Sequence, residues 1–165
     1  MKTLYIVRHA KSDWGDEALR DIDRHLNPRG YSDAYFMSKL FMQHYTVPEL
    51  MVSSPAIRAF STALIFARTF KYPEHSIVIK EEIYEAGTDT LKQSILAFDN
   101  NKSSVMLFGH NPGLSNLFNE ISDSCIDSLP TCAIVGISFD VKNWNEINKT
   151  EGKTLFTDFP KEFKP

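Results

Sequence analysis

The sequence predicts an α/β fold: a three-layer sandwich with a mostly parallel central sheet, helices on both faces and a late hairpin-like edge. Three observations predict it. Short apolar runs (Thr3–Val7, Leu50–Val52, Ile77–Ile79, Ser104–Phe108) alternate with longer stretches whose apolar residues recur every three or four positions. Polar residues and a proline-marked helix start follow the second and fourth of these runs. The tail then changes period, with two strand-like runs, Ala133–Phe139 and Thr154–Phe159, in succession. At 165 residues the chain is most simply one domain, 1–165, long enough to bury a sizeable core.

Taken in order, Thr3-Leu4-Tyr5-Ile6-Val7 is apolar, β-branched and aromatic, a buried strand that stops at Arg8-His9-Ala10. Ser12 to Asn27 is a polar loop beginning beside that stop, so it lines the same pocket mouth. Asn27 caps a helix with Pro28 at its first position, and Ala34, Met37, Leu40 and Phe41 form its apolar face to about Tyr45. Leu50–Val52 is a second strand, followed by Ser54 as cap, Pro55 inside the helix, and Ile57, Phe60, Leu64, Ala67 and Phe70 along one side. Ile77–Ile79 is a third strand and Glu81–Gly87 a loop. A helix capped by Thr88 or Asp89 carries Leu91, Ile95 and Phe98. After the fourth strand, Pro112 sits where a helix should begin, with Leu114, Leu117, Phe118 and Ile121 behind it. Lys142–Lys153 is a polar connection between the last two strands.

Composition bounds the function classes. With 42% hydrophobic and 24% charged residues and a net charge of −3, nothing in the bulk electrostatics points to nucleic acid or an anionic membrane. Any basic function must be local. The N-terminal apolar run of five residues is too short for a secretory or membrane-spanning segment. Cys125 and Cys132 lack metal-ligand spacing and read as reduced thiols, so the expectation is a soluble, cytoplasmic protein.

In parallel sheets, ligands bind beyond the carboxyl ends of the strands. Arg8-His9 follows the first strand, Arg58 the second and His110 the fourth, so two arginines and two histidines converge on one edge of an acidic protein. Burying such groups is costly unless an anion is held among them. Arginine holds phosphate oxygens bidentately and keeps its charge, while a neutral imidazole is a competent nucleophile near pH 7 without a metal or separate base. A phosphate site with a histidine nucleophile is therefore expected, with no cofactor and no metal.

The same residues carry a resemblance. Arg8-His9-Ala10 resembles the Arg-His-Gly signature of the histidine phosphatase superfamily (phosphoglycerate-mutase-like), with alanine in place of the usual glycine. The likeness extends to Val52-Ser53-Ser54-Pro55 with Arg58 and Thr62, and to Gly109-His110-Asn111. Asp23, Arg24, Leu26, Arg29-Gly30 and Leu129-Pro130-Thr131, with the short length, resemble SixA-type phosphohistidine phosphatases. The resemblance implies that His9 becomes phosphorylated while Arg8, Arg58 and His110 hold the phosphoryl group. It also implies a proton-donating glutamate in the loop after the third strand, for which Glu85 is the nearest match and Glu82 the second. Ser12 and Asn111, beside these motifs, are candidate substrate-binding residues. Alanine at position 10 matters only if the turn needs positive φ.

Other polar residues have plainer readings. His25, His44 and His75 read as structural or solvent-exposed, Glu81-Glu82 as a solvated pair, and the acidic stretch Asp13–Asp23 as a loop of salt bridges with no calcium-loop spacing. Within it, Asp23-Arg24 is a candidate for fixing the loop near the pocket. Trp14 is either a loop anchor or a substrate-facing aromatic. The leading expectation is a metal-independent phosphatase acting on a phosphorylated protein, such as a histidine phosphorelay protein. One helix and one strand separate Arg58 from Glu85, which leaves no room for an inserted lid, so a side chain on a protein surface has access. The alternatives are a phosphatase of a small phosphate ester and a non-catalytic phosphate-binding or phosphoprotein-binding module.

Overall fold

The computed structural model describes residues 1–164; Pro165, the last residue of the expected domain, lies outside them. In chain order the strands and α-helices are β1 (Lys2–Arg8), α1 (Pro28–His44), β2 (Leu50–Ser53), α2 (Ile57–Phe70), β3 (Val78–Ile79), α3 (Thr88–Leu96), β4 (Ser104–Gly109), α4 (Gly113–Ile121), β5 (Ile134–Phe139), β6 (Lys153–Asp158) and α5 (Pro160–Phe163). The strands form one sheet in the order β3-β2-β4-β1-β5-β6. β1 to β4 pair in parallel, and β5 turns back antiparallel to both β1 and β6. The α/β reading and the hairpin-like edge therefore hold.

Alternation along the strands divides the core into two layers. Leu4, Ile6, Val105 and Leu107 face a cluster built with Leu91, Ile95, Leu117 and Phe118 of α3 and α4. Tyr5, Val7, Met106 and Phe108 face the opposite cluster, with Met37 and Phe41 of α1 and Ala63 and Phe66 of α2. Helices thus cover both faces. The central strands are buried on both sides, which is why they read as continuous apolar runs rather than as alternating ones.

Several boundaries differ from the sequence reading. Asn27 caps α1 as expected, accepting from the Gly30 N–H at 2.8 Å. Ser54 does not cap α2, however: Ala56 is the capping residue and Pro55 lies before the helix, while the Ser54 hydroxyl accepts from Ala56 N–H at 3.2 Å and meets His110 Nε2. Gly87 takes the cap of α3 instead of Thr88 or Asp89, and Phe98 lies beyond its end although it is buried. The third strand shortens to Val78–Ile79, and Ala133 and Phe159 fall outside β5 and β6. The polar stretch after β5 contains a 3₁₀ turn, Trp144–Lys149, that buries Trp144 and Ile147 against the α3 side. Cys125 and Cys132 are both free, the first exposed and the second buried. No helix among the described residues is long and apolar enough to cross a membrane.

Candidate active site

Parallel pairing brings the strand ends level. Arg8 stands opposite Gly109, and Ser53 opposite Phe108, so His9, Ser54 and His110 leave the sheet at the same edge. Backbone bonds continue the alignment past the strands: His9 N–H donates to Gly109 O at 3.1 Å and Ser54 N–H to Phe108 O at 3.0 Å. The turn at Ala10 is fixed by Thr62, whose Oγ1 accepts from Ala10 N–H at 3.0 Å and donates to Arg58 O at 2.7 Å. Thr62 therefore ties the first strand end to the first turn of α2, which carries Arg58. Ala10 is fully buried and does not adopt positive φ, so the turn accepts its methyl group.

These elements enclose a pocket of about 220 Å³ lined by Arg8, His9, Ser12, Arg58, His110 and Asn111, with Lys11, Trp14, Arg24 and Thr131 completing its wall. Six of the seven candidate residues thus share one cavity. Glu85 does not line it. That residue is exposed, sits in the left-handed region at φ 54°, and borders an adjoining hollow that it shares with His110 and Asn111. Glu82 is exposed and lies 3.8 Å from Lys80.

One bond fixes the tautomer of His9. Its Nδ1 lies 2.7 Å from Ala10 O, and a carbonyl can only accept, so the proton sits on Nδ1 and Nε2 keeps its lone pair. Burial, with smaller contributions from His110, Arg58 and Arg8, pushes the imidazole down to about 3 against the pull of the Ala10 carbonyl. The ring of His110 lies 5.3 Å from that of His9. Burial and the Arg58 charge hold His110 down to about 4, although Asp21 pulls the other way. Its Nε2 is 2.7 Å from Ser54 Oγ, which also accepts from Ala56 N–H at 3.2 Å. The Ser54 proton is then free to point at Nε2, leaving the His110 proton on Nδ1.

The cations are braced from behind. Arg8 Nη1 donates to Leu129 O at 2.8 Å. Arg58 makes a two-point contact with Asp21, to its backbone carbonyl at 2.7 Å and its carboxylate at 3.0 Å. Tyr84 OH donates to the same carboxylate oxygen at 2.6 Å, and the other oxygen accepts from Arg24 Nε at 3.0 Å. Burial alone would raise the Asp21 carboxyl, but the bonds from Tyr84, Arg24 and Arg58 bring it down to about 2. Arg24 in turn donates to Ser12 Oγ. In this pocket three buried polar atoms, Arg8 Nε, Arg58 Nε and His110 Nδ1, have no partner among the described residues. Burying donors without acceptors is costly, and an oxyanion in this cavity is what would satisfy them.

Sequence reasoning did not single out Asp21, Ser54 as the partner of His110, or Tyr84. Of the pair Asp23-Arg24, only Arg24 reaches the pocket, while Asp23 pairs with Arg20 at 2.8 Å on the surface. Asn111 lines the cavity, but its amide is committed to Ser115, Ser128 and Leu129, which secures the segment that accepts from Arg8. His25, His44 and His75 are exposed.

An α/β sandwich that gathers two arginines and two neutral histidines where parallel strands end is a phosphate-handling enzyme of the phosphoglycerate-mutase-like class. Residues 4–97 match the histidine phosphatase superfamily, branch 1, and the chain belongs to that family, as a phosphatase of the SixA type. Its structure is similar to that of a protein assigned as the phosphohistidine phosphatase SixA from Agrobacterium tumefaciens, with 26% identity, TM-score 0.82, and 96% of this chain and 98% of the other covered. It is likewise similar in fold to the protein histidine phosphatase SixA complexed with tungstate, at 21% identity and TM-score 0.84 over 98% and 99% of the two chains. An uncharacterized chloroplastic protein of Arabidopsis thaliana is 28% identical over 153 residues, 88% of this chain and 70% of the relative.

Proposed function

We propose that residues 1–165 form one cytoplasmic histidine phosphatase domain that hydrolyses protein phosphohistidine, on a histidine phosphorelay protein or another phosphoprotein, with neither metal nor cofactor. His9 Nε2 attacks phosphorus in line with the leaving group: a new N–P bond forms as the bond to the leaving group breaks, and the electron pair departs with that group. Water then attacks the phosphohistidine, releasing inorganic phosphate and returning His9. Arg8, Arg58 and His110 donate to the three equatorial oxygens, where charge is spread in the transition state. Ser12 keeps a hydroxyl proton toward the pocket, and Asn111 holds its wall. Asp21 is a positioning residue, because its carboxylate fixes the two guanidinium groups of Arg24 and Arg58. Tied to three donors and held near pKa 2, it is unsuited to give up a proton. We assign proton donation to Glu85, needed for an alkoxide leaving group and dispensable for an imidazole.

The observation that carries the reading is the Nδ1–Ala10 carbonyl bond, which leaves Nε2 of a buried, neutral His9 free among cations. The phosphoprotein reading rests on the cavity. At about 220 Å³ it is smaller than the roughly 300–1,000 Å³ typical of sites that enclose a whole small ligand. It takes a phosphoryl group and the ring that bears it, leaving the remainder of the substrate outside.

The test is phosphate release from a phosphorylated histidine-containing protein and from an aryl phosphate by wild type and His9→Ala. Wild type is expected to act on both, and the variant to lose roughly 10³-fold or more on each. Release by His9→Ala at the wild-type rate overturns the mechanism. Hydrolysis of the aryl phosphate alone by wild type overturns the substrate.

A further inference from the structure

Trp14 is 69% exposed, yet it lines the catalytic pocket. An isolated exposed apolar side chain is unremarkable in general, but this one is neither loose nor remote. Its ring centroid lies 3.4 Å from the guanidinium carbon of Arg24, and Arg24 is itself 7% exposed, bonded to Ser12 and Asp21. The backbone on either side is also secured. Asp13 N–H donates to His25 O at 2.8 Å, and Asp13 Oδ1 accepts from Gly15 N–H at 2.7 Å. Trp14 also borders a second hollow with Asp16, Glu17, Leu19, Asp21 and Arg24, so the indole forms the partition at the mouth of the active site.

A large ring fixed in this way beside the nucleophile is pre-organised for a flat partner. From these contacts we propose that Trp14 is a specificity-determining residue, the platform on which the aromatic ring bearing the phosphoryl group stacks. A cation from the substrate is the less favourable occupant, because Arg24 already lies against the indole and would repel it. A neutral ring is not repelled. The inference deepens the phosphohistidine reading and rests on it for the identity of the ring, but the preference for ring-bearing leaving groups stands apart from it.

The experiment compares kcat/KM for two matched pairs of substrates: a phosphohistidine peptide against a phospholysine peptide, and phenyl phosphate against ethyl phosphate. Trp14→Ala is expected to lower the rate on the ring-bearing member of each pair by roughly three- to tenfold, the worth of one aromatic contact. It should leave the ring-less member, and inhibition by inorganic phosphate, unchanged within about twofold. Trp14→Phe should restore most of the loss. Equal loss on both members of a pair, weaker inhibition by phosphate in step with the loss, or no loss at all overturns the proposal. If wild type ignores phosphohistidine, the phenyl and ethyl pair still decides the role of Trp14, so the two readings fail separately.

Discussion

At the scale of single residues, the chemistry depends on which groups are neutral and which are held. His9 is buried and pushed to about 3, so it does not protonate at its ordinary value of about 6.5 in the free enzyme. Corrected for the second ionisation of a phosphate ester, near pH 6, kcat/KM should stay flat from about pH 8 to 5. An acid limb at pH 6.5 in that profile would contradict the neutral nucleophile. Asp21→Asn should lower kcat/KM by roughly 10- to 100-fold, the worth of hydrogen bonds to charged groups, and weaken phosphate inhibition by a similar factor. An unaltered phosphate inhibition constant would remove Asp21 from its positioning role. Glu85→Gln should slow hydrolysis of an alkyl phosphate by about 10²-fold or more and leave phosphohistidine within a few-fold, as measured by steady-state rates on the two substrates. Equal rates on the alkyl ester would take Glu85 out of the mechanism. Arg8, His9, Arg58 and His110 were legible because each sits at a strand or helix end, where the topology dictates its position. Asp21 was not, because its partners are 3, 37 and 63 residues away and meet only when the polar loop folds back.

At the scale of elements, periodicity found every strand and the four longer helices, since each buries a face whose spacing the chain must repeat. It missed the 3₁₀ turn Trp144–Lys149, where Trp144 and Ile147 are buried without any repeat. The cap of α2 was misread because serine before proline is a cap signal in isolation, whereas here Ser54 bonds only the Ala56 N–H ahead of the helix and also meets His110. The sheet order could not be read from spacing at all: β1 sits between β4 and β5, far from it in sequence. One helix start has a functional consequence. A Cβ on Gly30 would stand 2.0 Å from Lys11 O, so α1 packs directly on the backbone just after His9 and Ala10. Asn27 N–H donates to that same oxygen at 3.0 Å. Gly30→Ala should therefore destabilise the protein by roughly 1–3 kcal/mol, as overpacking does, and lower kcat by displacing the loop that holds Ser12 and Trp14. Urea unfolding and kcat measured on the same sample check both halves, and wild-type stability in the variant would show that the contact relaxes freely.

At the scale of the whole molecule, the two buried imidazoles of the pocket should also set its response to acid. Both His9 and His110 have folded-state values below the ordinary 6.5, at about 3 and about 4. Between those values and 6.5 the unfolded chain binds more protons than the folded one, so stability rises with pH across this window. The full contribution is present above about pH 6.5 and is lost as pH falls toward 4 and 3. At pH 5 the loss is about 2 kcal/mol for His9 and less for the more open His110, a large share of the 5–15 kcal/mol typical of a domain. Asp21 acts lower on the scale: held down to about 2, it stabilises above its unfolded value of 3.8 and is lost only as pH falls from there toward 2. Acid unfolding should thus begin with the active-site histidines and only later involve the carboxylate that braces the arginines. Urea titrations at pH 7 and pH 5 should give wild type a drop of about 3 kcal/mol, and the double variant His9→Gln/His110→Gln a much smaller one. An equal drop in both proteins would place the acid sensitivity elsewhere. Inorganic phosphate, the product of the proposed reaction, should restore part of the lost stability at pH 5 in wild type and less in the double variant, because a ligand that binds only the folded state stabilises it; no restoration in wild type would count against a phosphate site between the two imidazoles.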